Sequence, residues 1–131
     1  MRYLFTLIFL FGCAPSSDMR FEPANGFFDE YTQEFEELYG QDIGFVEFGF
    51  AAFDDRYAQC NRLANFGQVL VDKERWDDLC ELQKRAVIFH ELGHCVLHRE
   101  HSGEDSYMYE SIRSCEFYEG NKDGLDFELF N

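Results

Sequence analysis

Basic residues are scarce in this chain. Lysine and arginine together number 11 among 131 residues, whereas aspartate and glutamate number 26, and the formal net charge is −15 at pH 7. A surface with so few positive charges repels the phosphate groups of nucleic acids and of anionic lipids. The composition therefore argues against nucleic acid as a partner, and against adsorption of the folded surface to an anionic membrane.

The chain also lacks an apolar run long enough to span a bilayer, an internal repeat and a second domain. Its most apolar stretch is residues 1–12, where one early arginine precedes a short hydrophobic core. A run of this length is typical of a signal peptide and not of a mature transmembrane helix. The remaining length suits one small domain, and an apolar content of 46% with 18% aromatic residues is sufficient for a packed core.

The end of the apolar stretch resembles the bacterial lipoprotein lipobox. Residues 10–13 read Leu-Phe-Gly-Cys, and in lipoproteins a peptidase cuts before such a cysteine, whose thiol then carries a diacylglycerol. The resemblance implies a lipidated Cys13; an ordinary secretory signal is the alternative, and both predict export. Ala14 stands where an aspartate often holds lipoproteins at the inner membrane, so the resemblance favours the outer membrane. The expected organisation is a signal peptide (1–12), a lipid-anchored tether (13–26) and one folded domain (27–131).

Hydrophobic periodicity in the folded domain predicts an α+β fold. Apolar residues recur at helical spacing before Gly40, and aromatic and β-branched residues cluster in two later stretches, while residues 51–67 are less regular. A strand followed directly by the second helix should place that helix across a short sheet. The second strand is also a candidate edge for pairing with an extended peptide. The predicted elements are helix 27–39, strand 43–50, strand 68–71 and helix 77–98.

The second predicted helix carries the sequence His-Glu-Leu-Gly-His at residues 90–94. Residues four apart lie on one face of a helix, so His90 and His94 can direct two imidazoles at one metal ion. Zinc in catalytic sites takes three protein ligands and leaves a fourth position for water. The ion lowers the pKa of that water to about 7, and Glu91 can accept its proton as a general base. The alternative is a solvated helix face that carries two histidines by chance.

A third ligand must come from outside this pair. His98 is four residues beyond His94, but a straight helix would place it about 12 Å along the axis from His90, too far to share an ion. The helix must therefore end before the third ligand, and His101 meets that condition. Carboxylates also bind zinc. Four acidic residues remain as alternatives: Glu100, Glu104, Asp105 and Glu110.

The segment from His90 to His101, with a methionine shortly after it, resembles the metzincin family of zinc metallopeptidases. The metzincin pattern is H-E-x-x-H-x-x-G-x-x-H followed by a methionine turn beneath the metal. Here Leu97 occupies the glycine position and the third histidine comes one residue late. The run H-E-L-G-H-C-x-L-x-R-x-H is more similar to a group of small bacterial metallopeptidase-like proteins, many with a lipoprotein leader. The resemblance extends over residues 43–131 and is strong over residues 86–108.

This resemblance implies a compact zincin-like domain, in which a short sheet packs against the active-site helix and an N-terminal helix. It implies one zinc ion held by His90, His94 and His101, with Glu91 as the catalytic base. Met108 would be the residue of the methionine turn, with its thioether packed beneath the imidazoles and not ligating the metal. An ordinary core methionine is the alternative.

Four cysteines follow Cys13, an even number that suggests two disulfides in an exported chain. Cys80 and Cys95 fall on one predicted helix, about 22 Å apart along its axis, and cannot pair. The strand and helix run antiparallel, which brings the start of the strand near the end of the helix. This favours Cys60–Cys95 with Cys80–Cys115 over the remaining pairing. Cys95 as a zinc ligand is a weaker alternative, because it points away from the metal face.

These expectations combine into a zinc-dependent metallopeptidase that is exported and lipid-anchored, with a peptide or protein as its substrate. Two other functions fit the same residues. One is a catalytically inactive zinc-binding lipoprotein that acts as an interaction module or inhibitor. The other is a zinc amidase that acts on cell-wall material.

Overall fold

Residues 21–131 are described by a computed structural model, with four strands and four helices in that range. The predicted signal peptide and Cys13 lie outside it. Within residues 21–131, none of the helices combines the length and the apolar character that a membrane span requires. The elements in chain order are β1 (Glu22–Pro23), α1 (Asp29–Tyr39), β2 (Val46–Ala51), β3 (Ala58–Arg62), β4 (Gly67–Asp72), α2 (Lys73–Asp77), α3 (Glu81–Cys95) and α4 (Cys115–Phe130).

The four strands form one mixed sheet in the order β1-β2-β4-β3. β2 and β4 pair in parallel, with Val46 opposite Gly67, whereas β1 pairs antiparallel with β2 and β3 pairs antiparallel with β4. β4 is therefore central, and its Val69 and Val71 are fully buried. The expectation that strand 68–71 is the edge for a substrate is wrong, because β3 covers that side of β4 and is itself the edge in the described part of the chain.

Helix α3 is buried on nearly all sides. It packs against β3 and β4 and also against α1 and α4. Phe35 of α1, Phe89 of α3 and Phe130 of α4 pack edge to face, with ring centroids 4.9–6.3 Å apart. Full burial of such a side chain contributes about 1.5–3 kcal/mol. The helix that carries the His-Glu motif is thus held within the hydrophobic core.

The predicted α+β architecture is confirmed, with a short sheet packed against α3, which carries the His-Glu motif, and with an N-terminal helix. α1 ends at Gly40, whose φ of 81° is the left-handed cap that glycine favours. The predicted helix 77–98 is wrong at both ends, since α3 begins at Glu81 and ends at Cys95. Its start is fixed by a capping interaction in which the side chain of Gln83 accepts a hydrogen bond from the backbone of Cys80.

Four elements are absent from the sequence-based expectation, and one of them is the short helix α2, which follows β4 directly. β3 reads Ala-Gln-Cys-Asn-Arg, without a β-branched or aromatic residue, and it is a strand because it pairs with β4. α4 contains Gly120 and Gly124, which weaken helices, yet its buried face packs on α3. β1 lies inside the predicted tether 13–26 and pairs with β2, so this part of the segment belongs to the sheet.

Candidate metal centre and active-site cleft

Three histidines converge at the C-terminal end of α3. His90 and His94 lie one turn apart on the helix, and His101 comes from the segment that follows it. Their ring centroids are 4.7, 4.9 and 5.2 Å apart, and one nitrogen of each ring lies within 4.8 Å of the other two. Among the described residues, no other group of His, Cys, Asp and Glu side chains is placed in this way to hold a metal ion.

Backbone carbonyls determine which nitrogen of each helical histidine is available. The Nδ1–H of His90 donates to the carbonyl of Tyr107 at 2.6 Å, and the Nδ1–H of His94 donates to the carbonyl of Arg99 at 2.7 Å. Because a carbonyl only accepts, Nδ1 carries the proton in both rings, and a neutral ring then has its lone pair on Nε2. Burial lowers the pKa of His90 to about 4, and it also lowers the pKa of His94, although the carbonyl contacts oppose both shifts. Both imidazoles are therefore neutral at pH 7.

The two Nε2 atoms face each other at 3.1 Å. With the proton of each ring on Nδ1, neither Nε2 can donate to the other, and their lone pairs repel unless a cation lies between them. Two nitrogens on one tetrahedral zinc ion lie about 3.3 Å apart, since each Zn–N bond measures about 2.0–2.1 Å. The donor set of His90, His94 and His101 therefore fits a metal ion.

The end of α3 allows His101, and not His98, to reach this pair. The N–H of Arg99 donates to the carbonyl of Gly93 at 2.9 Å, which turns the chain back over the helix end. His98 has a left-handed φ of 55°, and its Nδ1 lies 3.4 Å from the guanidinium of Arg62 in β3. His98 lies outside the cluster as expected, but the expected reason is wrong: the helix breaks before residue 98.

The acidic residues considered as alternative third ligands do not join the cluster. Glu100 has a side chain that is 86% exposed and pairs with Arg62 at 3.4 Å. Glu110 lines the same cleft as the histidines. Neither of these carboxylates, nor Glu104 or Asp105, belongs to the group placed to hold a metal.

Glu91 lies beside the histidines and is 7% exposed. Burial raises the pKa of its carboxyl to about 7, although a backbone hydrogen bond from Cys60 and the charge of Arg56 oppose the shift. A carboxyl group with a pKa near 7 can both accept and release a proton at neutral pH. The site thus combines three ring nitrogens that are placed to hold a metal ion with one group suited to proton transfer.

The histidines and Glu91 open into a cleft of about 670 Å³. One wall is β3 and the segment that precedes it. The opposite side includes apolar side chains from α3 and from the region around the start of α4. Four of these apolar lining residues are Ala86, Val87, Ile112 and Tyr118. The remaining lining is rich in charged and polar side chains, among them Arg56, Arg62 and Glu110, so the cleft offers a substrate both apolar and polar contacts.

Every second residue of β3 directs its backbone groups away from β4. Residues 57 and 63, which flank the strand, bond toward the β4 side: the carbonyl of Tyr57 accepts from the N–H of Asp72, and the N–H of Leu63 donates to the carbonyl of Phe66. Because residues that bond to the partner strand alternate with residues that do not, residues 58, 60 and 62 have outward backbone groups. The outward backbone of residue 60 reaches Glu91, so this free edge runs past the candidate base.

Met108 is fully buried in a turn that the N–H of Tyr109 closes by donating to the carbonyl of Ser106 at 3.1 Å. A Cβ atom at Gly93 would collide with the Sδ of Met108. The missing side chain at Gly93 therefore lets the thioether pack directly against α3, between the levels of the two helical histidines. Packing of the thioether beneath the imidazoles stays a prediction.

Two disulfides brace the ends of α3. Cys60 of β3 is joined to Cys95 at the end of the helix, with the Cα atoms 5.8 Å apart, and Cys80 at its start is joined to Cys115 of α4, with the Cα atoms 6.5 Å apart. This is the pairing that the sequence favoured. Because Cys95 is in a disulfide, it is not a free thiolate for zinc.

The sequence-based reasoning missed the groups that orient the histidines. Tyr107 and Arg99 contribute backbone carbonyls, and no residue type marks a carbonyl in a sequence. A metal-binding histidine usually donates its second ring N–H to a protein acceptor, which predicts that such partners exist. Their positions depend on the turns after α3, and those turns were not predictable from the sequence.

Comparison with known proteins gives one match. A family model described as "Putative phage metallopeptidase" matches residues 51–119, a little more than half of the chain. No curated protein and no solved structure matches. The matched residues contain the whole histidine cluster, Glu91, the edge strand β3 and all four cysteines of the two disulfides. With the site's geometry and the sequence match falling on the same segment, the chain belongs to this metallopeptidase family.

Proposed function

We propose that the protein is a zinc-dependent peptidase, with His90, His94 and His101 as the metal ligands. The observation that carries the proposal is the pair of unprotonated Nε2 atoms facing each other at 3.1 Å, with His101 beside them. Three histidine imidazoles form a ligand set that is typical of catalytic zinc. When bound, zinc lowers the pKa of water and polarises a carbonyl group.

Glu91 is the proposed general base and acid. Its buried carboxyl, with a pKa raised to about 7, takes a proton from the attacking water and later delivers it to the leaving amine. The backbone N–H of Cys60 and the charge of Arg56 hold its carboxylate form next to β3. This role needs no movement of the helix, because Glu91 already lies on the face that borders the cleft.

The edge of β3 is the proposed docking strand for an extended substrate. The outward backbone groups of residues 58 and 62 can pair with a peptide, which is a common mode of peptide recognition. The opposite apolar wall can accept a substrate side chain. β4, for which the sequence predicts this role, lies inside the sheet between β2 and β3 and has no free edge.

Export and lipid anchoring at Cys13 are part of the same proposal, with the outer membrane favoured. The lipobox-like residues 10–13 support it. The two disulfides of the domain support it as well, since disulfides persist in oxidising compartments outside the cytoplasm. A Cys13→Ser variant of the full-length protein should lose labelling by a fatty-acid analogue, and undiminished labelling would contradict the anchor.

The metal assignment is tested with the full-length protein by zinc affinity in competition with a chelator, at fixed pH because the ligands must be neutral. The His101→Ala variant should bind zinc far more weakly, since two histidines leave the ion mostly to water. The His98→Ala variant is the matched control and should bind normally, because His98 contacts Arg62 instead. If His98→Ala releases zinc while His101→Ala retains it, the ligand set is wrong.

The reaction is tested by digestion of a peptide library and of peptidoglycan fragments with the zinc-loaded protein. Cleavage of peptides that is lost in Glu91→Gln supports a peptidase. Cleavage of peptidoglycan fragments alone selects the cell-wall amidase. Tight zinc binding without turnover of either substrate selects the inactive zinc-binding lipoprotein.

A further inference from the structure

One carboxylate on α4 joins the two segments whose carbonyls hold the helical histidines. The Oε1 of Glu128 accepts from the guanidinium of Arg99 at 2.5 Å, and its Oε2 accepts from the hydroxyl of Ser106 at 2.6 Å. We propose that Glu128 is a positioning residue that fixes the proton and the orientation of both His90 and His94. This inference rests on the proposed metal site.

The connection to His94 runs through Arg99. Besides its bond to the carboxylate, the Arg99 guanidinium donates to the backbone carbonyls of Glu128 and Leu129, at 3.2 and 3.4 Å. The side chain of Arg99 is therefore held to the end of α4 by three acceptors. Its own carbonyl accepts the Nδ1–H of His94 at 2.7 Å. Anchoring of the Arg99 side chain thus fixes the carbonyl that determines the protonated nitrogen of His94.

The connection to His90 runs through the turn at residues 106–109. The hydroxyl of Ser106 donates to Glu128 and accepts the backbone N–H of Met108 at 3.0 Å. The residue between them, Tyr107, supplies the carbonyl that accepts the Nδ1–H of His90 at 2.6 Å. Holding both flanks of Tyr107 leaves its carbonyl little freedom to turn away from the imidazole.

Glu128 is well suited to this role because it stays ionised. Burial alone would raise the pKa of its carboxyl, but hydrogen bonds from Arg99 and Ser106 and the charge of Arg99 together lower it. Each of the two oxygens of an ionised carboxylate can accept a hydrogen bond, one here from Arg99 and one from Ser106. Such hydrogen bonds are stronger than those to a neutral acceptor. The residue lies beyond the segment 51–119 that defines the family match, so the match alone does not point to it.

The test compares Glu128→Gln with Glu119→Gln in the full-length protein. Glu119 lies on the same helix, is exposed and makes none of these contacts. A glutamine amide cannot accept from both Arg99 and Ser106, because one of its two terminal atoms only donates. Zinc affinity, measured by chelator competition, should fall about 10- to 100-fold in Glu128→Gln and stay unchanged in Glu119→Gln. Equal affinity of the two variants would overturn the proposal.

A second readout separates positioning from general loss of stability. In the metal-free protein, ¹⁵N spectra of the histidine rings report which nitrogen is protonated. Wild type and Glu119→Gln should show the proton on Nδ1 of His90 and His94, whereas Glu128→Gln should show a mixture of the two forms. Unchanged ring spectra in a folded Glu128→Gln variant would mean that Glu128 only stabilises the fold.

Two further variants keep the test decisive if Glu128→Gln does not fold. Arg99→Met removes the guanidinium but keeps the carbonyl, and it should affect the ring of His94 more than that of His90. Ser106→Ala should do the reverse. Because none of these readouts uses turnover, weaker zinc binding in an inactive protein would uphold the positioning role while the proposed peptidase activity fails.

Discussion

Helix α3 carries two clusters of buried polar side chains, one in each half. In the N-terminal half, Arg85 is 5% exposed and donates to both carboxylate oxygens of Asp126, at 2.8 and 3.0 Å. It also donates to the hydroxyl of Tyr107 at 2.7 Å and to Glu34 at 2.8 Å. Donors and acceptors in this cluster are matched to one another. Lys122, which donates to Asp126 at 3.1 Å, supplies the second positive charge that balances the two carboxylates.

The cluster in the C-terminal half has a different balance. His90, Glu91 and His94 are also largely withdrawn from water, but the two Nε2 atoms present acceptors to each other, and the carboxyl of Glu91 has a raised pKa. The two clusters lie on the same helix, in the same core. Burial of polar groups is therefore not itself the mark of a functional site. The mark is a buried group whose hydrogen-bonding or proton-binding capacity is not matched by its neighbours.

The largest effect is expected from a substitution in the C-terminal cluster alone. Glu91→Gln should lower peptide turnover by about 10²- to 10⁴-fold, because an amide cannot accept the proton. The free energy of unfolding should not fall, since a costly buried carboxyl has been replaced by a neutral group of the same shape. Turnover and urea denaturation of the same preparation check both statements. A variant that is as active as wild type would remove Glu91 from the chemistry.

The next largest effect is expected from a substitution in the N-terminal cluster. Arg85→Met should reduce the free energy of unfolding by about 3–5 kcal/mol, because the buried charge of Asp126 loses its two hydrogen bonds from Arg85 and Lys122 compensates it only in part. The control is Lys73→Met, which removes an exposed ion pair with Glu22 at 3.9 Å and should cost under about 1 kcal/mol. Chemical denaturation measures both. Similar losses in the two variants would mean that the Arg85 cluster contributes no more to the free energy of unfolding than an exposed ion pair.

A third prediction sharpens the same contrast through pH. Burial alone would raise the pKa of Asp126, but hydrogen bonds from Arg85, Lys122 and Tyr107 and the charge of Arg85 lower it below its ordinary 3.8. A depressed folded-state pKa contributes stability above the unfolded pKa, and this stability is lost as the pH falls through the folded-state value. The stability difference between wild type and Asp126→Asn should therefore be constant near neutrality and shrink below about pH 4. Denaturation curves over that range test it, and a constant difference would argue against an ionised Asp126.

The smallest effect concerns the residue that the two clusters share. The hydroxyl of Tyr107 accepts from Arg85 and donates to Asp126, and the carbonyl of Tyr107 accepts from His90. Tyr107→Phe should cost about 1 kcal/mol of stability and leave zinc affinity unchanged, because the carbonyl remains. A loss of zinc affinity as large as in Glu128→Gln would show that the clusters are coupled through this side chain.

The sequence was most informative where a side-chain pattern determines the structure. The apolar spacing of α1, the aromatic and β-branched strands and the His-Glu motif report burial and chemistry directly. β3 was not predictable because its residues have no strand preference of their own and depend on β4 for pairing. α4 was not predictable because packing on α3 outweighs two glycines.

The segment from His94 to His101 was also not predictable, because its course depends on contacts with the rest of the fold. Counted back from His101, the glycine of the metzincin pattern falls on His98, and His98 has the positive φ that glycine adopts most readily. The extra residue is thus accommodated by a left-handed histidine. No sequence rule predicts this for a residue other than glycine, since the cost is offset by contacts such as that with Arg62.

The two disulfides have a further consequence because they interleave along the chain. Cys60–Cys95 and Cys80–Cys115 overlap between residues 80 and 95, the stretch that contains the whole of α3. Wherever one peptide bond is cut between residues 60 and 115, at least one bridge still connects the two fragments covalently. The chain can therefore be cut once in this region while the segments that carry His90, His94 and His101 stay covalently connected.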